Sequence, residues 1–314
     1  MLKKLNFRWM AVLGVLFVVA LLTGAGKWSA ASQDGKSSVD GLINMHIAEQ
    51  QKVEQGRKLF KDLLRREGGK APAYGSDEYL KRLLEYADPA GELRRRDPVK
   101  WEFIDAYAYD YYVRNVSPPI PPPMSNTAID GNQNAVEVAP SDVQIQSGHY
   151  NRSGAVNYAY TYVFNYNPAY HKFNADCTNF VSQCLKDGGG VPIVDAKWRP
   201  YWDKDDWYYY RIGNDSFDSN NDDAWSWSWV KAKTFHHHIN GRPLAVQVSY
   251  ASQLELGDIV QLNLNDSEPA NDHSMIVTKI DPDGTRRVTY HTNNTKDKKL
   301  SEIGGTHYYM HVTY

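Results

Sequence analysis

The chain is poor in cysteine: only Cys177 and Cys184 occur in 314 residues, so no disulfide framework organises it. The two lie seven positions apart in one predicted helix. At about 1.5 Å per residue that separates them by ~10 Å, beyond the ~7 Å that a disulfide tolerates. No Gly-rich phosphate loop, Cys-x-x-Cys pair or internal repeat occurs. The charge balance is nearly even, with a formal net charge of −2. A nucleic-acid binder would carry a strongly basic face, and a polybasic membrane patch is also missing. The one basic triplet, Arg94-Arg95-Arg96, reads as a solvated helix flank. After residue 22 no apolar run approaches membrane-spanning length.

What is present begins with an export signal. Lys3, Lys4 and Arg8 precede an apolar run from Met10 to Leu22, and the small residues Ser29-Ala30-Ala31 follow. Residues 1–31 therefore read as a signal peptide, with an uncleaved N-terminal anchor as the alternative. The expected location is secreted or attached to the cell surface or cell wall. Residues 32–116 read as a small helical region. Apolar residues recur at helical spacing over Leu42–Arg66 and from Tyr79 to Leu84, and Asp97-Pro98 opens a third helix. The run Ser117-Pro-Pro-Ile-Pro-Pro-Pro123 stops helix formation, so 117–143 is a Pro-rich, polar linker. With such a hinge, the helices are able to cover a groove in the domain that follows.

Residues 144–314 change to helices followed by strands, an α+β pattern. Ser153 is a candidate helix cap. The segment Asp176-Cys-Thr-Asn-Phe-Val-Ser-Gln-Cys-Leu185 forms a short helix, capped by Asp176 or Asn174 and ended by Gly188–Gly190. Cys177 then sits at the positive end of a helix dipole, which favours the nucleophilic thiolate. A small buried hydrophobe is the plainer reading of such a cysteine. Strands are expected over Gly257–Asn263, His273–Ile280, Arg287–Thr292 and Tyr308–Tyr314, with a tight turn at Asp281–Gly284.

A cysteine nucleophile needs a base and a group that orients the base. His273 opens a strand after a polar loop and is the candidate base. Alternation places His291 and Asn293 on one face of the next strand, either one available to the His273 ring. The backbone N–H of Cys177 is the expected oxyanion donor, with Asn174, Tyr166 and Tyr170 as candidates for a second. The aromatics from Trp198 to Trp229 read as core more than as a sugar-stacking groove. Asp215, Asp218, Asp222 and Asp223 lack calcium-loop spacing and read as a flexible acidic loop. His236-His237-His238 would diverge on a helix, so neither metal nor other cofactor is expected. Asn293-Asn294-Thr295 fits a glycosylation sequon, which has meaning only in a eukaryotic secretory pathway.

The segment Tyr150-Asn-Arg-Ser-Gly-Ala-Val-Asn-Tyr-Ala159, the Cys177 helix, Leu256-Gly-Asp-Ile-Val260 and His273-Ser-Met-Ile-Val277 together resemble the amidase-domain family of exported Gram-positive proteins. That family is similar in turn to the papain-like cell-wall hydrolases called NlpC/P60 and CHAP. The resemblance covers residues 150 to 314. It implies a papain-like, NlpC/P60-type domain with a helix-borne cysteine packed on an antiparallel sheet. It also implies Cys177 as nucleophile, His273 as base, and His291 as third residue with Asn293 as the alternative. The implied activity is a cysteine amidase or peptidase acting on peptide or peptidoglycan. A non-catalytic module on the same shell and a cysteine acyltransferase are the competing expectations. Membrane contact is expected only through an uncleaved N-terminal segment. The oligomeric state is open.

Overall fold

The computed structural model describes residues 33–120, 150–197, 199–241, 244–264 and 272–314. The expected signal peptide, Trp198, and the linker from residue 121 onward lie outside the described residues. Among the described residues no helix is long and apolar enough to cross a membrane.

The N-terminal helices form where the caps predict. α1 spans Gln33–Arg66. α2, Asp77–Ala87, starts at Ser76, whose Oγ accepts the Tyr79 N–H. A short α3, Glu92–Arg96, precedes α4, Pro98–Asn115, which is capped by Asp97 through the Lys100 N–H. Phe60, Leu83, Ile104 and Ala108 close the centre of this bundle.

The rest is α+β. α5, Arg152–Tyr162, is capped by Asn151 rather than Ser153. α6, Cys177–Gln183, runs into a π turn at Cys184–Gly188. That turn lies so close to α5 that a Cβ on Gly188 would stand 2.7 Å from the Ala155 Cα. Glycine is required there for contact rather than for turn geometry. β1 (Tyr209–Tyr210) and β2 (Ala224–Trp225) form a small ribbon. α7 (Trp227–Val230) and α8 (Ala232–Gly241) follow it.

The main sheet is antiparallel, with the order β3-β8-β4-β5-β6-β7. Its strands are β3 Ala245–Val248, β4 Ile259–Asn263, β5 His273–Ile280, β6 Arg286–Tyr290, β7 Thr295–Lys299 and β8 Thr306–Val312. Alternation divides its side chains between two cores. Ile259, Ile276 and Met310 join Phe180, Val181 and Cys184 beneath α5 and α6. Val260, Leu262, Met275, Val277 and Tyr290 form a second core on the opposite face. The Leu-Gly-Asp motif joins helix to sheet: Arg152 donates to Asp258 Oδ1 at 2.6 Å and to the Val312 carbonyl at 2.6 Å.

Two expectations are corrected here. Arg94 is not on a solvated flank. It is fully buried, ion-paired with buried Asp218, bonded to the Asp223 carbonyl at 2.7 Å, and stacked 4.1 Å above the Trp225 ring. The acidic segment is correspondingly no loose loop, since Asp218 and Asp223 are both buried. The aromatics are core: Trp207, Trp225, Trp227 and Trp229 are all buried.

These contacts dock the N-terminal bundle on the α+β part. Asp105 adds bonds to Trp227 Nε1 at 2.9 Å and Lys231 Nζ at 2.6 Å. Tyr201 adds one to the Leu84 carbonyl at 2.9 Å. Removing one partner of a buried ion pair strands the other, at a cost of about 3–5 kcal/mol. Arg94→Ala is therefore expected to lower unfolding stability by about that much in urea melts. A change within about 0.5 kcal/mol, the range of ordinary surface substitutions, would contradict the docked arrangement.

Candidate active site

Cys177 is the first residue of α6 and is 5% exposed. Its Sγ lies 3.8 Å from Thr178 Oγ1, which in turn meets Ser274 Oγ at 3.0 Å. The thiol thus packs against the start of β5. Burial pushes its pKa up, and the Ser274 N–H and Thr178 hydroxyl pull only partly the other way. The group is a thiol whose proton needs an acceptor.

The residue before it does not act as the expected cap, because no side-chain cap bond forms at α6. Asp176 is fully buried and faces inward. Its Oδ1 accepts from the Phe173 N–H at 3.0 Å and from Asn179 Nδ2 at 2.9 Å. Its Oδ2 lies 2.5 Å from His291 Nδ1, and its own N–H donates to Thr292 Oγ1 at 3.0 Å. His291 Nε2 meets the Tyr162 carbonyl at 2.9 Å, and the ring lies 4.0 Å from the Phe180 ring. Both nitrogens of His291 are thus engaged with Asp176 and the Tyr162 carbonyl rather than with the Cys177 sulfur.

The structure turns the His273 ring to the other face of β5 from the one that meets the Cys177 helix. His273 pairs with Leu262 across the sheet and shares its face with Met275, whereas Ser274 faces α6. The His273 ring meets Tyr290 edge-on at 4.8 Å in the second core. Both its nitrogens are buried without a partner among the described residues. Nor does His291 reach His273. β6 ends at Tyr290, and Thr292 and Asn293 take positive φ of 66°, so alternation fails where it was applied. Asn293 lies under α1: a Cβ on Gly41 would stand 2.1 Å from its Nδ2.

Cys177 opens instead onto a cavity of about 230 Å³. Thr178, Asn174, Phe173 and His171 line it beside Cys177, and α1 and α4 supply the facing wall, with Trp101 and Tyr109 among its residues. Of the candidate second oxyanion donors, Asn174 shares this cavity. Tyr166 is bonded to Asn294 at 3.2 Å and Tyr170 to Asp187 at 2.7 Å. His171 was missed by sequence reasoning, which sought the base after the nucleophile. The three consecutive histidines diverge to Gln261, Pro118 and Lys204.

Asp218, Asp222 and Asp223 each place an oxygen within 4.8 Å of the others, a spacing open to a metal ion. Asp218 already holds Arg94, and Asp223 accepts from Tyr209 Oη at 2.5 Å and the Ile212 N–H at 2.6 Å. These donors satisfy the two carboxylates without an ion.

This α+β domain presents a cysteine at a helix start, on the wall of a cavity that His171 also lines. Residues 149–313 match the family described as "Putative amidase domain", and the chain belongs to this family. Two Bacillus subtilis (strain 168) proteins are similar. Uncharacterized protein YhbB is 29% identical over 52% of this chain and 49% of its own length. Uncharacterized protein YjcM is 27% identical over 59% of this chain and 41% of its own length. The chain thus spans half or less of the length of these relatives. No solved structure matches.

Burial lowers the His273 pKa from 6.5 to about 3. The fold therefore keeps the ring neutral, while the unfolded chain protonates it near its ordinary value. Between those values the unfolded state binds more protons. Stability then falls as pH drops below about 6.5, by ~1.4 kcal/mol per pH unit for one proton. In urea melts between pH 7 and 4, His273→Leu should flatten that slope by about one proton's worth. An unchanged slope would place the ring in contact with water.

Proposed function

We propose that the protein is an exported cysteine hydrolase of papain-like architecture that cleaves amide bonds in cell-wall peptides, with Cys177 as nucleophile. One observation carries the reading: within the family-matched stretch, a cysteine begins a helix and opens onto a cavity.

The Cys177 proton passes to an imidazole as Sγ attacks the amide carbonyl carbon. The carbonyl oxygen becomes an oxyanion, which the Cys177 backbone N–H at the helix start is placed to receive, with Asn174 beside it. The C–N bond then breaks, and the imidazolium returns the proton to the leaving amine. Water hydrolyses the thioester through the same sequence and restores the thiol. An amine in place of water would make the protein an acyltransferase.

A second reading, a binding module without catalysis, is favoured by the burial of Cys177 and by the His273 ring facing the second core. Purified protein incubated with Gram-positive peptidoglycan separates the two, with amine release and product masses as readouts. The wild type is expected to release new amino groups, and Cys177→Ala to lose about 100-fold or more of that rate. No release by the wild type, or full release by Cys177→Ala, would overturn the hydrolase reading.

A further inference from the structure

His171 is a histidine on the wall of the cavity that Cys177 opens onto, and neither His273 nor His291 lines it. Its backbone is held against the cysteine helix. Asn179 Nδ2 donates to the His171 carbonyl at 3.0 Å, and the His171 N–H donates to Tyr209 Oη at 2.7 Å. The ring packs against Phe173 and Trp225, at 4.6 and 5.4 Å between centroids. Its Nδ1 is buried and lies 3.2 Å from Asp218 Oδ2, off the line of a good hydrogen bond.

Asp218 is built to be a fixed carboxylate. Its Oδ1 accepts the backbone N–H groups of Asp222 at 2.9 Å and Asp223 at 3.0 Å, and its Oδ2 holds Arg94. Burial pushes its pKa up, but the His171 ring, the Asp223 N–H and Arg94 together hold it below the usual value. The chain pays in strain for this placement: Phe217 and Asp218 take φ of 58° and 53°, a left-handed pair without glycine. Such outliers persist where surrounding structure over-determines them, and they cluster at functional sites.

We infer that His171, oriented by Asp218, is the imidazole that takes the Cys177 proton, with Arg94 of the N-terminal bundle anchoring the carboxylate. The inference rests on the cysteine-hydrolase reading and assigns its base. Nδ1–H points to Asp218, and Nε2 receives the Sγ proton as the C–S bond forms. Nε2 then gives that proton to the amine as the C–N bond breaks. The arrangement is acid, imidazole and nucleophile in ordinary roles. It also makes the helices a working part of the site, because α3 supplies Arg94.

Alkylation of Cys177 by iodoacetamide at pH 7, followed by peptide mass, tests the assignment without a known substrate. His171→Ala is expected to slow alkylation at least roughly tenfold, the equivalent of one unit of thiol acidity, and added imidazole to restore part of it. His273→Leu should stay within about twofold of wild type on the same scale. His171→Gln, which keeps size and polarity, gives the same readout if the alanine variant is poorly folded. Unchanged alkylation in both His171 variants, or collapse in His273→Leu, overturns the assignment. Peptidoglycan turnover separates this result from the broader reading. Activity lost in Cys177→Ala but kept in His171→Ala removes the base and leaves the nucleophile. Activity kept in Cys177→Ala removes both.

Discussion

Asp176 is a carboxylate without access to water, one residue before the candidate nucleophile. A buried charge is tolerated only where donors surround it. Here the donors come from distant parts of the chain: Phe173 in the preceding loop, Asn179 in the helix, and His291 just after β6. Its backbone N–H adds Thr292. The start of the cysteine helix is thereby fixed to the end of a strand, and Cys177 inherits that position. The positive φ values at Thr292 and Asn293 follow from the same constraint, since the chain must leave the strand sharply to present both His291 and Thr292.

A second buried charge pair does the corresponding work between the two parts of the molecule. Arg94 reaches from the N-terminal bundle to Asp218, beside the ring of His171. The tryptophans around it complete the interface, with Trp101 edge-on to Trp225 at 5.9 Å. The cavity beside Cys177 exists because α1 and α4 stand across it. The helical region lies outside the family match, yet it forms half of the space into which a substrate group would fit.

Much of the fold was legible because it is written locally. Ser76 and Asp97 announce helix starts through side chains that bond three residues ahead, and both do so. Strand β5 was readable from Met275-Ile276-Val277 and the Asp281–Gly284 turn signal that follows. By contrast, β7 reads Thr-Lys-Asp-Lys-Lys, an edge strand whose charges hide its pairing with β6. The helix that carries Cys177 was legible, and its surroundings less so. Period-two alternation says that His273 and Ser274 face opposite ways, but not which of them faces the cysteine helix. Asp176 looked like a cap because its partner, 115 residues later, is invisible to local reasoning. Arg94 and Asp218, 124 residues apart, were misread as solvated for the same reason.

The central claim is that Cys177 forms the covalent intermediate. Intact-mass and peptide-mass analysis of the protein quenched in acid during peptidoglycan turnover tests it directly. The account predicts an acyl adduct on the peptide containing Cys177, which disappears as substrate is exhausted and is missing after prior alkylation of that thiol. Continued turnover with Cys177 fully alkylated, and no adduct on it, would contradict the account.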